Sequence, residues 1–391
     1  MPDTSVGSIV QFGDPLGFRL RQGARRSPVI TGAGADTFKV EAHTLGGHQK
    51  EAIVTEGSTG STWRLASDEG RAMKGDDLAP FPLGFFNAGV MSDLYNRIAS
   101  VARSRGSRLD GVRISMSHLF GSNGSFIQST ARAFSESVAL KIDFIGSLDG
   151  HEARQIAGAA CTASPAIALL RTPMQENTFA LYINGRRRKV IEHRNSVAGD
   201  VRDPFLVYTS PPRPCDEGGR TDLLVKLGYE GPEDTTTVPL ASADKRLFAI
   251  DAVGASSPDT GEFTTETWIA RPGMTHFSMT SDETAEDRAP SGLGLMSAGI
   301  GFCYLTQLLR YIDAQKLDVR NARLVQFNPY STGEVGRPGP IDTHLFLNGN
   351  APDEVHLNLL SIAAHTCFMH VAAATALEPD ISLSLNGQPL G

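Results

Sequence analysis

The segments "PLGFFNAGVMSDLYNRI" (82–98) and "GLGLMSAGIGFCYLTQL" (292–308) correspond at an offset of 210 residues, and the fold turns on how that correspondence is read. Two further pairs follow in the same order at an offset of 202. These are "DFIGSLDGHEARQIAGAACTASPAIALL" (143–170) with "LFLNGNAPDEVHLNLLSIAAHTCFMHVAAA" (345–374), and "ALYINGR" (180–186) with "SLSLNGQ" (382–388). Ordered matches at a nearly constant offset predict a duplicated unit. The Pro- and Gly-rich stretch from about Asn195 to Thr235, holding "SPPRPCDEGG" and "YEGPEDTTT", reads as the connection, so the units are expected at 1–195 and 196–391.

Each unit opens with apolar/polar alternation of period two, as in "DTFKVEAHTL" and "STWRLAS" or "KRLFAIDAV" and "HFSMTS". A long helix follows. In the second unit it is expected from about Ser291 to Lys316, apolar all round at first and therefore enclosed. Its glycines, with those of the first unit (Gly84, Gly89, Gly294, Gly299 and Gly301), imply close helix approach or space beside a ligand. Two strands come next, then a second helix with acidic residues in its first turn, then a strand ending in Asn-Gly, a hairpin signal. Strands, helix, strands, helix, strand predicts α+β architecture, antiparallel sheets packed on two buried helices.

Composition bounds the function. The chain of 391 residues is 40% apolar and 20% charged, an ordinary globular balance. Net charge is −7, with positive clusters only at "RQGARRS" and "NGRRRK", so no basic face is present to neutralise a phosphate backbone and nucleic acid is not an expected partner. "NGRRRK" itself reads as a solvated turn. The uncharged run between Arg288 and Arg310 is long enough to span a bilayer, but it holds Pro290 and four glycines and reads as a buried helix, so no membrane role is expected. The first residues show neither a basic region nor an apolar run, and four scattered cysteines suit a reducing, cytoplasmic setting. Neither "GAGAD" nor "GLGLMSAG" has the setting of a dinucleotide fingerprint, and no cofactor is expected.

Cys303 lies in the long helix and Cys367 in the next one, 64 residues on. If both helices pack in the middle of one unit, the two thiols face each other. "SAGIGFCYL" followed by a strand pair and "AAHTC" resembles the OsmC/Ohr family of organic hydroperoxide resistance and osmotic stress proteins. The resemblance covers about 300 residues in both halves and is stronger in the second. It implies a thiol-dependent peroxidase, an intertwined dimer of α+β units that a tandem chain forms by itself as a pseudo-dimer, and a small-molecule substrate. It implies Cys303 as the attacking thiol and Cys367 as the resolving one. The family's Pro-Glu pair would fall near "DRAPSGLGL", where Ser291 and Gly292 follow Pro290; the nearest acids are Glu286 and Asp287, and Arg271 and Arg288 stand as candidates for its arginine.

In the first half Asp93 replaces Cys303 and Ser164 replaces Cys367, so that half is expected to be degenerate, with Cys161 a small core residue. Asp93 alternatively serves as an acid or base. On a regular helix Cys367 and His370 share a face and His365 points away. His370 is therefore a third site candidate, as a base for Cys367 or, with both cysteines, as a ligand for a soft metal or small ligand. No standard metal-ligand spacing is present, and no metal is expected. A noncatalytic self-associating protein that keeps its thiols as core residues stands as a further alternative, and a homodimer is compatible with each.

Overall fold

The computed structural model describes residues 7–12, 15–23, 35–57, 59–174, 176–208, 210–215, 220–228, 240–242 and 245–391. The stretch "YEGPEDTTT", most of "GAGAD" and part of "RQGARRS" lie outside them. Leaving short pieces unnumbered, the first half contains β1 (Gly17–Arg21), β2 (Ala35–Thr44), β3 (Lys50–Thr55), β4 (Thr62–Ser67), α1 (Pro82–Ser104), β5 (Gly111–Asn123), β6 (Arg132–Ile145), α2 (Gly150–Ala163), α3 (Pro165–Arg171), β7 (Thr178–Ile183) and β8 (Arg186–Arg188). The second contains β9 (Leu224–Gly228), β10 (Lys245–Ser256), β11 (Phe263–Ile269), β12 (His276–Ser281), α4 (Gly292–Gln315), β13 (Val319–Ser331), β14 (Asp342–Gly349), α5 (Asp353–Thr366), α6 (Phe368–Ala374), β15 (Asp380–Leu385) and β16 (Gln388–Pro389). The class is α+β.

Strand order is β1-β4-β3-β2-β13-β14-β7-β8 in one sheet and β9-β12-β11-β10-β5-β6-β15-β16 in the other. Exchanging each strand for the one eight places away turns the first order into the second. Neither half therefore completes a sheet by itself. The seams are long: β2 pairs with β13 from Ala35↔Ser331 to His43↔Arg323, and β10 with β5 from Lys245↔Asn123 to Ala255↔Arg113. The expectation of purely antiparallel sheets needs correction, because β7 runs parallel to β14 and β15 parallel to β6. Each of these strands arrives after a helical crossover and joins the sheet beside a strand of the other half, so a hairpin does not dictate its direction. The Asn-Gly signals are hairpin turns: Asn184 and Gly185, like Asn386 and Gly387, take the two positive φ values of a type I′ turn.

The layers run sheet, α4, α1, sheet, around one continuous apolar core. α4 starts on Ser291, whose side chain caps Gly294 N–H, and ends at Lys316 in the left-handed conformation. Glycines let the two helices touch through their backbones. A Cβ on Gly89 would lie 2.5 Å from Met296 N, and one on Gly299 would lie 2.9 Å from Phe86 N. Among the described helices α4 is the one that by itself is long and apolar enough to cross a membrane, α5 and α6 reaching that only as a bent pair, and 94% of the most apolar stretch of α4 is buried inside the protein.

The second helix of each half is two helices. α5 and α6 meet at a bend of 63° on Cys367, whose ψ of 108° is extended; in the first half Ser164 makes the same break. Pro165 forces that break, since the residue before proline is pushed out of the helical region. The regular helix expected through Cys367 is corrected accordingly, and the sulfur sits at the start of α6.

Candidate active site

α4 carries Cys303 inward at 2% exposure, and the α5/α6 break holds Cys367 fully buried. Cys161, Cys303 and Cys367 are free thiols. The Cys303 and Cys367 sulfurs lie close enough to act on one another electrostatically. Burial, and then that neighbouring sulfur, push the Cys367 thiol well above its ordinary range, against the opposing pull of the His370 and Met369 backbone N–H groups at the start of α6. His370 Nδ1 lies 3.2 Å from Cys367 Sγ, the tautomer deciding which group donates. Burial, with His193 nearby, lowers the His370 pKa to about 3, so its imidazole is neutral at pH 7. Tyr304 donates to the Leu360 carbonyl at 2.9 Å and ties α4 to α5 beside the pair.

The structure thus brings the three sequence-derived candidates together. The charged groups around them come from elsewhere. Thr306, one turn from Cys303, donates to Glu69 Oε1 at 2.6 Å, and the buried Lys50 Nζ lies 3.4 Å from the same oxygen. Arg310 stands one turn beyond Thr306, donating to Gln307 Oε1 at 2.8 Å with its guanidinium 4.4 Å from the Phe126 ring centre. Burial lowers its pKa to about 10, Glu69 and Cys303 raise it and Arg246 lowers it, so Arg310 remains charged at pH 7. Arg310 lies within electrostatic range of Cys303. Arg288 approaches Glu262, with Nε 3.9 Å from Oε1, and Asp287 accepts from Ser61 Oγ at 2.6 Å.

A cavity of about 260 Å³ is lined by Gln307, Arg310 and Ala314 on the α4 side and by Thr366 and Phe368, which flank Cys367, on the other; Arg246 and Phe126 also border it, and neither thiol reaches its wall. Larger grooves of about 720, 530 and 360 Å³ lie elsewhere and are likewise lined by no cysteine.

Glu69 had a signal in the chain. Ser-Asp-Glu ends β4 at 67–69 and recurs at the end of β12 at 281–283. In both copies the aspartate N–H bonds the proline carbonyl ahead of a central helix, Asp68 to Pro80 and Asp282 to Pro290. The glutamate then points to the helix of the opposite half, Glu69 to α4 and Glu283 to α1. Arg310 had no such signal, because one arginine at the end of a helix looks like any solvated charge.

The first half has a polar counterpart at the same place. Ser164 Oγ donates to Asp93 Oδ2 at 2.5 Å and Ala166 N–H to the same oxygen at 3.2 Å. Arg97 Nε lies 3.3 Å from Asp93 Oδ1, while its Nη2 lies 2.6 Å from Glu283 Oε2. Burial raises the Asp93 pKa, and Arg97, Ser164 and Ala166 oppose the rise. Cys161 packs in the core on α2.

No family model and no curated relative matches the chain. Among solved structures it is similar to an OsmC-like hydroperoxide resistance protein from Jannaschia sp. CCS1, at 18% identity and a TM-score of 0.24. That match covers 36% of this chain and 94% of the other.

Proposed function

We propose that the chain is a tandem OsmC-like protein, units 1–195 and 196–391 forming a pseudo-dimer by duplication, that reduces organic hydroperoxides at one thiol pair. The carrying observation is two free, buried thiols, Cys303 and Cys367, close enough to act on one another, with a cavity bordered by two arginines against the residues that flank Cys367. The matched strand orders of the two sheets support the pseudo-dimer.

The chemistry follows from the sulfurs. The Cys303 thiolate attacks the outer peroxide oxygen, the O–O bond breaks, the alkoxide takes a proton and leaves as alcohol, and Cys303 becomes a sulfenic acid. The Cys367 sulfur then displaces that oxygen as water and closes the disulfide, which an external dithiol reduces by exchange. Cys367 suits the resolving role because its surroundings keep it protonated until the oxidised partner forms. His370, with a pKa near 3, orients the Cys367 sulfur and does not draw off its proton. Arg310 supplies positive charge at the mouth. A small-molecule substrate and a cytoplasmic, reducing setting belong to this reading, with neither nucleic acid nor membrane as partner.

Thiol titration before and after one equivalent of cumene hydroperoxide tests it. Two thiols disappear per chain in the wild type, none in Cys303→Ser, and Cys367→Ser stops at a sulfenic acid that dimedone traps. Unchanged thiol content in the wild type defeats the proposal.

A further inference from the structure

Glu192 and His193 lie in the turn between β8 and the short strand Arg194–Asn195, and His365 is the next-to-last residue of α5. They come from opposite halves, yet one donor atom of each lies within 4.8 Å of both others. Ser361, one turn before His365 on the same face, donates to Glu192 Oε2 and lies 3.2 Å from His193 Nε2. The His193 and His365 rings are 5.2 Å apart, and His193 is backed by Phe179 at 5.1 Å. Both histidines are half-buried and Glu192 is exposed, so the open side of the group faces solvent.

We infer that Glu192, His193 and His365 form a zinc site that joins the two halves at the end of α5. Two imidazoles and a carboxylate are a ligand set that zinc accepts, at bonds of about 2.0–2.2 Å, and tetrahedral geometry then brings donor atoms to roughly 3.3 Å from one another. Small side-chain rotations close the present spacing to that value. Water takes the fourth position on the open side. Ser361 serves as the outer partner that holds the carboxylate, the usual device for orienting a ligand. Arg132 on β6, within electrostatic range of His365, is the charge that opposes a dication there. The site contains no sulfur and is independent of the thiol chemistry proposed above, although His365 stands two residues before Cys367, so a bound ion braces the helix end that presents that sulfur.

The full chain, stripped with a chelator, is titrated with Zn²⁺ against a chromophoric competitor. One equivalent is expected to bind, with affinity reduced by roughly tenfold or more in His193→Ala, His365→Ala and Glu192→Gln. Glu192→Gln alters only an exposed side chain and keeps the test valid if a histidine variant misfolds. The Cys303→Ser/Cys367→Ser double variant retains the equivalent, and Co²⁺ in its place gives a spectrum without a thiolate charge-transfer band. Zn²⁺ binding unaffected by the Glu192 and histidine changes, lost with the cysteines, or never saturating at one equivalent overturns the assignment.

Discussion

Ser164 hydrogen-bonds Asp93 at 2.5 Å in the place where the other half sets Cys367 beside Cys303. The same break between two helices and the same buried central helix present a hydroxyl and a carboxylate in one half and two sulfurs in the other. The carboxylate is sustained by Arg97, which bridges it to Glu283. The first half holds a buried ion network where the second holds a pair of thiols.

That network gives the first prediction. Asp93→Ala leaves Arg97 fully buried with one carboxylate in place of two, and breaking a buried pair from one side costs about 3–5 kcal/mol. Urea denaturation of the variant is expected to show a loss in this range. A loss below about 1 kcal/mol would mean that Arg97 is satisfied by Glu283 alone.

Arg310 carries the second. Arg310→Gln removes the charge bordering the cavity while retaining a hydrogen-bonding group, and is expected to slow hydroperoxide reduction about tenfold, equivalent to about 1.4 kcal/mol in the barrier. Stopped-flow thiol oxidation measures it. Raised salt is expected to slow the wild type less than the substitution does, since a largely buried charge is weakly screened.

Acid stability is the third. Burial lowers the pKa of both His118 and His370 to about 3, so each binds its proton in the unfolded chain near 6.5 but not in the folded protein. Their contribution is fully present above pH 6.5 and is lost as pH falls from there toward 3. By pH 4.5 each costs on the order of 2–3 kcal/mol. Denaturation midpoints at pH 7 and 4.5 measure the slope, and His118→Gln is expected to remove about half of it.

The helix crossing provides the fourth. Gly89→Ala places a methyl 2.5 Å from a backbone nitrogen of α4, which only separation of the helices relieves, so a loss of roughly 1–3 kcal/mol or more is expected in thermal unfolding. Gly301→Ala meets a Val40 methyl at 3.2 Å, and the gain in helix propensity, up to about 1 kcal/mol, offsets that contact. Equal effects at the two positions would contradict the close crossing.

Much of this was readable in the chain. The α4 span from Ser291 to Lys316, which carries Cys303, and the Asn-Gly hairpins follow from local patterns of a few residues, as does the repeated order of elements. Period, capping and turn chemistry act over short distances, so the sequence alone determines where elements start and which side of each is apolar. It does not say which strand or charge comes to meet that side. That β2 seals against β13, that Glu69 reaches Thr306, and that Glu192 and His193 stand beside His365 were decided by tertiary structure. The break at Cys367 belongs with them, because no proline follows it as Pro165 follows Ser164. The physical reason is common to all: an alternating strand or an apolar helix face specifies burial but not the identity of its partner, and these partners lie about 170 to 300 residues away.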